Sequence, residues 1–168
     1  MGLVACGKTS HPATAENDGV YVNAGPITYQ LQVSRELNQY DVEDAQYLTG
    51  VPANSLAANQ EWYGVFLWAK NQTKSQQPTS NTFDIVDTEG HHFYPLPVTR
   101  SQNPYAWTSQ TLAPGASEPS LDTTASFGPT QGSLLLFKLS TSVYDNRPLT
   151  LEIRGPSRQL WGTISLDL

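Results

Sequence analysis

Residues 62–71 read as one strand in which Tyr63, Val65, Leu67 and Ala69 point one way and Gly64, Phe66, Trp68 and Lys70 the other. Both faces are mostly apolar, which places the strand centrally in a sheet. The same period of two recurs on either side. Ile27, Tyr29, Leu31 and Val33 alternate with Thr28, Gln30, Gln32 and Ser34, the pattern of a half-buried strand. Residues 82–86 and 91–96 flank Asp87-Thr88-Glu89-Gly90, whose Asp and Gly supply hairpin-turn chemistry. Residues 122–127 and 132–139 flank a second turn, Gly128-Pro129-Thr130-Gln131. Residues 148–154 alternate through Leu149, Leu151 and Ile153, and residues 159–166 carry Leu160, Gly162, Ile164 and Leu166 on one side. About eight or nine strands separated by turn signals make an all-β sandwich or barrel.

Two stretches break the pattern. Residues 36–59 contain Tyr40-Asp41-Val42-Glu43-Asp44-Ala45-Gln46-Tyr47-Leu48, which could form a short helical turn, followed by a loop rich in Pro, Ala and Asn. Residues 98–121 hold Pro104, Pro114 and Pro119 with little alternation, and read as a long connection that could include one short strand. Composition narrows the partners. Nine Lys plus Arg against fifteen Asp plus Glu give a net charge of -6, without the clustered positive charge that a phosphate backbone requires, so nucleic acid is not expected. The longest apolar runs, Val65 to Ala69 and Leu134 to Phe137, fall far short of the roughly 20 residues that span a bilayer as a helix.

The single cysteine rules out an internal disulfide, and its position carries the information. Leu3-Val4-Ala5-Cys6 resembles the bacterial lipobox, an aliphatic residue and two small ones before cysteine. The resemblance implies a lipid-attachment site at Cys6, where two or more acyl chains give stable anchoring. Only five residues precede Cys6, fewer than the apolar stretch of about 7–15 in a signal peptide, so most of the leader is expected upstream of this sequence. A small and polar segment follows, and residues 1–18 are expected to comprise the end of the leader and a disordered tether, with the folded domain at 19–168.

Several elements in this order resemble a family of small Ig-like bacterial surface lipoproteins whose domain has no assigned function. That family is related in fold to secreted Ig-like antigens of Gram-positive bacteria. The resemblance rests on Val65-Phe66-Leu67-Trp68-Ala69-Lys70-Asn71 and on the hairpin from Phe83 to Tyr94. It rests also on Gly132-Ser133-Leu134-Leu135-Leu136-Phe137 with Leu149-Thr150-Leu151-Glu152-Ile153. It covers about residues 60–166 and implies an Ig-like antiparallel β-sandwich on the outer side of a membrane.

Residue chemistry offers few catalytic combinations. His11 lies in the tail, and strand alternation sends the adjacent His91 and His92 to opposite faces, so they do not chelate one ion together. The expected arrangement is a surface histidine beside a half-buried one, and no metal site or cofactor is expected. Asp84, Asp87 and Glu89 lack the ligand density of a calcium loop and read as a capped turn. There is no Gly-x-Ser-x-Gly elbow, and Cys6 has no base beside it. Asp41, Glu43 and Asp44 read as a solvated acidic face, and no catalytic residue is expected. Asn71-Gln72-Thr73 fits a glycosylation sequon, but Asn71 is expected to shape the turn that ends its strand. Planar rings in loops can anchor an interface or stack on sugars, and Tyr105, Trp107 and Trp62 are the binding candidates. The expectation is a lipid-anchored, non-enzymatic envelope protein that binds an unidentified envelope protein. A cell-wall glycan held by those aromatics is the alternative, and an envelope hydrolase is a third.

Overall fold

The computed structural model of the chain describes residues 12–15, 19–52 and 55–166, so Cys6 and His11 lie outside the described residues. The chain folds as an all-β sandwich. Twelve strands occur among the described residues: β1 (Thr14–Ala15), β2 (Tyr21–Ala24), β3 (Ile27–Leu37), β4 (Gln60–Lys70), β5 (Gln77–Pro78), β6 (Thr82–Val86), β7 (His92–Phe93), β8 (Thr111–Leu112), β9 (Ser117–Glu118), β10 (Ser133–Ser140), β11 (Leu149–Arg154) and β12 (Leu160–Leu166). One sheet runs β1-β12-β11-β6-β7, and the other runs β10-β4-β3-β2, with β9 also paired to β4. Strands β5 and β8 form a separate small ribbon.

The expected central strand is central. β4 is bonded to β3 on one side and β10 on the other, and it is buried along nearly its whole length. Tyr63, Val65, Leu67 and Ala69 face the core between the sheets, where they meet Phe83, Ile85, Leu151, Ile153 and Ile164 of the opposite sheet. Trp62 and Phe66 face away, into a second apolar cluster with Leu37, Tyr47, Tyr105, Ala125, Leu134 and Leu136.

Residues 36–59 and 98–132 supply the cover for that second cluster. Asp41 caps a short helix, α1 (Val42–Ala45), by accepting bonds from the N–H groups of Glu43 and Asp44. A 3-10 turn (Gln46–Leu48) follows and buries Tyr47 completely. The Tyr47 ring packs edge-on against Phe66 at 4.9 Å and Tyr105 at 4.8 Å, and its hydroxyl accepts the Thr130 N–H at 3.0 Å. Asn103 ties the two segments together by donating to the carbonyls of Tyr47 and Thr49 while accepting the Tyr105 N–H. Glu118, fully buried, accepts from Arg100, Ser133 and Gln110. The outer edge of β10 is also occupied: Leu96 N–H donates to Leu136, Trp107 N–H donates to Leu134, and Leu134 N–H donates to Tyr105.

Four expectations need correction. Val33 does not share a face with Ile27, Tyr29 and Leu31, because a bulge between Leu31 and Val33 turns the later half of β3 over, so that Val33 and Leu37 pack on the second cluster. Residues 122–127 are not a strand; Thr124–Phe127 form a helical turn, α2, which buries the successive residues Ala125 and Ser126. The strand expected at 91–96 shrinks to β7, since Pro95 and Pro97 carry no N–H to continue a ladder. Residues 14–15 of the expected tether pair in parallel with Thr163 and Ile164, so the described part of that segment belongs to the sandwich. Asn71 does what was expected of it. It is fully buried, its Oδ1 accepts from the N–H and hydroxyl of Thr73, and its Nδ2 donates to the carbonyls of Ser75 and Leu112.

Tyr47 joins both covering segments to the sheet, so its two contributions separate by substitution. Tyr47→Phe strands the Thr130 N–H and is expected to cost about 1–2 kcal/mol. Tyr47→Ala adds a cavity beneath α1 and is expected to cost about 3–5 kcal/mol. Thermal unfolding checks the order, each kcal/mol lowering Tm by about 2–4 °C in a domain of this size.

Candidate functional site

The hairpin between β6 and β7 organises the most polar side-chain grouping of the first sheet. Gly90 takes the positive φ of 83° that closes the turn. Asp87, almost fully buried, accepts the N–H groups of Glu89 and His91 on Oδ1, and Nδ1 of His91 and the amide of Asn146 approach its Oδ2. This is the capped turn expected from the sequence. Burial pushes the Asp87 carboxyl up, but the hydrogen bonds from His91, Asn146 and Glu89 outweigh it and hold the group at about 2. The carboxylate in turn holds His91 above its ordinary value.

A second grouping lies on the outer face of the same sheet. Alternation turns Phe83 and Ile85 of β6 inward and Asp84 outward, while on β11 it turns Leu151 and Ile153 inward and Glu152 and Arg154 outward. Glu152 stands directly opposite Asp84 in the strand register. His92 pairs with Val86, two residues from Asp84, and so reaches the same face. His92 Nδ1 lies 2.5 Å from Asp84 Oδ2, and Arg154 Nε donates to Asp84 Oδ1 at 2.9 Å. Arg154 also pairs with Glu152 Oε2. Asp84 is 2% exposed, unusual for a carboxylate outside the sandwich core, and the side chains bonded to it form its cover.

The two histidines differ from their expected burial. Both are exposed, with side-chain exposures of 61% for His91 and 40% for His92, because each ring lies over a buried carboxylate instead of entering the core. Among the described residues neither ring bonds a Ser or Thr hydroxyl; each reaches an aspartate.

The aromatic candidates are not gathered on one face. Trp62 is 2% exposed and Tyr105 7%, both within the second cluster, and the Tyr105 hydroxyl donates to Gln46 at 2.5 Å. Trp107 packs at the margin of the inter-sheet core against Tyr29 and Phe83, and its Nε1 donates to the Ser80 carbonyl. A flat stacking platform made of these three rings does not form. Trp107 and Trp62 border two clefts. One, of about 280 Å³, runs beside the outer edge of β10 between Trp107, Phe83, Leu96 and Val98. The other, of about 270 Å³, lies between Tyr40, Leu48, Val51, Pro52 and Trp62 beside α1. Tyr40, which lines it, is 85% exposed, and Val42, the first residue of α1, is 89% exposed.

Sequence reasoning missed the joining of Asp84, His92, Glu152 and Arg154. The alternation that turns Asp84 and Glu152 outward is visible in the residues, but their contact depends on β6 and β11 being neighbours, although residues 87–148 lie between the two strands.

No family model matches the chain, and no curated protein matches it. Solved structures resemble it in fold. The yjhA protein of Bacillus subtilis aligns with a TM-score of 0.58 at 12% identity, over 90% of this chain and 99% of that one. The ycdA protein of Bacillus subtilis, provisionally designated a lipoprotein, gives 0.51 at 13% identity; 90% of this chain is covered but 39% of that one, so this chain spans well under half its length. A conserved hypothetical protein from Bacillus anthracis gives 0.50 at 9% identity, over 88% of this chain and 94% of that one. Among the described residues no helix is long and apolar enough to cross a membrane.

The hairpin turn makes a pH prediction. The Asp87 carboxyl is depressed from 3.8 to about 2, so its contribution to stability is fully present above the unfolded value and is lost as the pH falls through about 2. His91 is raised from 6.5, so its contribution is present below that value and is lost as the pH rises through the folded one. Denaturant unfolding of Asp87→Asn between pH 4 and pH 2 should therefore show a flatter decline than the unmodified protein. Equal slopes would exclude the Asp87 pairing as a source of acid sensitivity. The chain is an all-β sandwich similar in fold to these Bacillus proteins, and likeness at such identities concerns fold and not activity.

Proposed function

We propose that this protein is a lipid-anchored, extracytoplasmic, non-enzymatic module of a bacterial cell envelope, whose Ig-like sandwich binds an envelope protein. The observation that carries the reading is Leu3-Val4-Ala5-Cys6, a lipobox-like sequence ahead of the sandwich. Its support is the fold shared with ycdA, the Bacillus subtilis protein provisionally designated a lipoprotein. On this reading the thioether at Cys6 and the acyl chains hold the protein on the outer face of the cytoplasmic membrane. The sandwich needs no further membrane contact.

For the contact surface the reading favours the cleft beside α1. Tyr40 exposes apolar surface at the cleft, Pro52, Leu48, Trp62 and Ala45 of α1 line it, and Val42 exposes an apolar side chain on the same short helix. An exposed tyrosine at the edge of a preformed cleft is a usual anchor of a protein interface. The pinned Tyr47 behind α1 makes the rim rigid, which lowers the ordering cost of binding.

Two measurements test the parts separately. Detergent-phase partitioning of the protein expressed with its upstream reading frame should carry it into the detergent phase, and Cys6→Ala should leave it aqueous. Both forms staying aqueous would remove the anchor. Crosslinking in intact cells should then enrich an envelope protein above the Cys6→Ala control, and Val42→Asp should reduce that enrichment by about tenfold, the equivalent of 1.4 kcal/mol. Enrichment unchanged in Val42→Asp would move the interface away from α1.

A further inference from the structure

The geometry points to a binding site for a first-row divalent cation of the Zn²⁺ type, made by Asp84 of β6, His92 of β7 and Glu152 of β11. Each residue offers one donor atom, and the three donors lie within 4.8 Å of one another. With metal–donor bonds of about 2.0–2.2 Å, the donors of a tetrahedral site lie roughly 3.3–3.6 Å apart. The Asp84–His92 pair, 2.5 Å apart, has to open by about 1 Å and the widest donor pair to close by up to about 1.5 Å, adjustments within reach of side-chain rotation. Asp84 is the fixed member, buried and held by Arg154. His92 and Glu152, at 40% and 17% side-chain exposure, are the members able to move.

The arrangement of hydrogen bonds leaves the ligand positions accessible. Arg154 occupies Asp84 Oδ1 and Glu152 Oε2. Asp84 Oδ2 faces His92 Nδ1, and among the described residues Glu152 Oε1 accepts no bond. A cation between Asp84 Oδ2, His92 Nδ1 and Glu152 Oε1 therefore forms without removing the guanidinium. Arg154 then plays the part of an outer partner that fixes the orientation of two ligating carboxylates. In the neutral imidazole the ring hydrogen moves from Nδ1 to Nε2 as Nδ1 takes the ion, so no net proton is released. With Arg154 counted, the two carboxylates leave one net negative charge to meet the cation.

Donor type sets the selectivity. One imidazole nitrogen and two carboxylate oxygens suit Zn²⁺ and its borderline neighbours, while Mg²⁺ and Ca²⁺ prefer all-oxygen sets. Three protein donors leave an open coordination position for water. His91 is not a member, since its ring lies over Asp87 and near Glu89 in the turn.

The test is calorimetric titration of the full chain carrying Cys6→Ala and His11→Ala, which remove the tail's own thiol and imidazole, with ZnCl₂ at pH 7.5. The expected result is one saturable site with a dissociation constant of about 10 μM or tighter. His92→Ala and Glu152→Gln, both at partly exposed positions, should each weaken it by more than about tenfold, and His91→Ala should leave it within about twofold. Thermal unfolding without metal verifies that each variant folds, and Co²⁺ absorbance gives a readout of ligation independent of heat. The site is overturned by the absence of saturable binding below 1 mM, by equal affinity for Zn²⁺ in the His92→Ala and Glu152→Gln variants, or by Mg²⁺ binding as tightly as Zn²⁺. This inference does not depend on the proposed anchoring, and either can fail alone.

Discussion

β4 must be covered on both faces, and the rest of the sandwich is arranged around that requirement. A strand with Tyr63, Val65, Leu67 and Ala69 on one side and Trp62 and Phe66 on the other cannot present either side to water without exposing large apolar side chains. The opposite sheet covers the first side. The third, two-stranded sheet of β5 and β8 contributes no residue to the second cluster, so the two irregular segments cover that side, with Tyr47 and Tyr105 as the side chains that fill the space. Backbone groups in irregular chain still need partners when buried; Asn103 supplies them with its side-chain amide, and Arg100, paired with the buried Glu118, donates to the Ala106 carbonyl.

The bulge in β3 follows from the same demand. Up to Leu31 the strand faces the inter-sheet core through Ile27 and Tyr29, and beyond it Val33 and Leu37 are required on the second cluster. One extra residue between Leu31 and Val33 makes the switch while keeping both halves bonded to β4. A period of two carries no mark of such a switch, since the side chains on either side of it are apolar. Most strands were legible because their alternation was uninterrupted: residues 82–86 coincide with β6, and Leu149, Leu151 and Ile153 face the core as read. Ala125 and Ser126 were misread because small residues satisfy a strand pattern and a helical turn equally well.

The aromatic candidates do not share one face, for a related reason. Tyr105 and Trp107 sit among prolines and polar residues, the composition of an exposed loop, yet that loop runs under the edge of β10 and over the outer face of β4. Local composition reports what a segment can expose, and the unpaired apolar face of a distant strand decides what it buries. The hairpin turn was the opposite case. Asp87, Glu89 and Gly90 are all within four residues of one another, so their chemistry could be read without knowing the sheet order.

The ionic grouping at Asp84 stands at the other extreme, since its members come together only through the pairing of three strands. Ion pairs taken out of water return little net stability, because desolvation offsets most of the attraction, whereas removing one partner from such a set is costly. Asp84 is buried by Arg154 and His92 on a face where Thr150, Thr163 and Ser165 would have sufficed to keep the sheet wettable. Folding alone therefore gives a weak reason for two carboxylates, a guanidinium and an imidazole at one spot. Their joint effect is to hold a carboxylate oxygen, a ring nitrogen and a second carboxylate oxygen within 4.8 Å of one another on the sheet. The sandwich thus separates its two outer faces by chemistry: β4's demand for cover consumes one of them in packing, and the other is left free to carry polar groups whose spacing the strands fix.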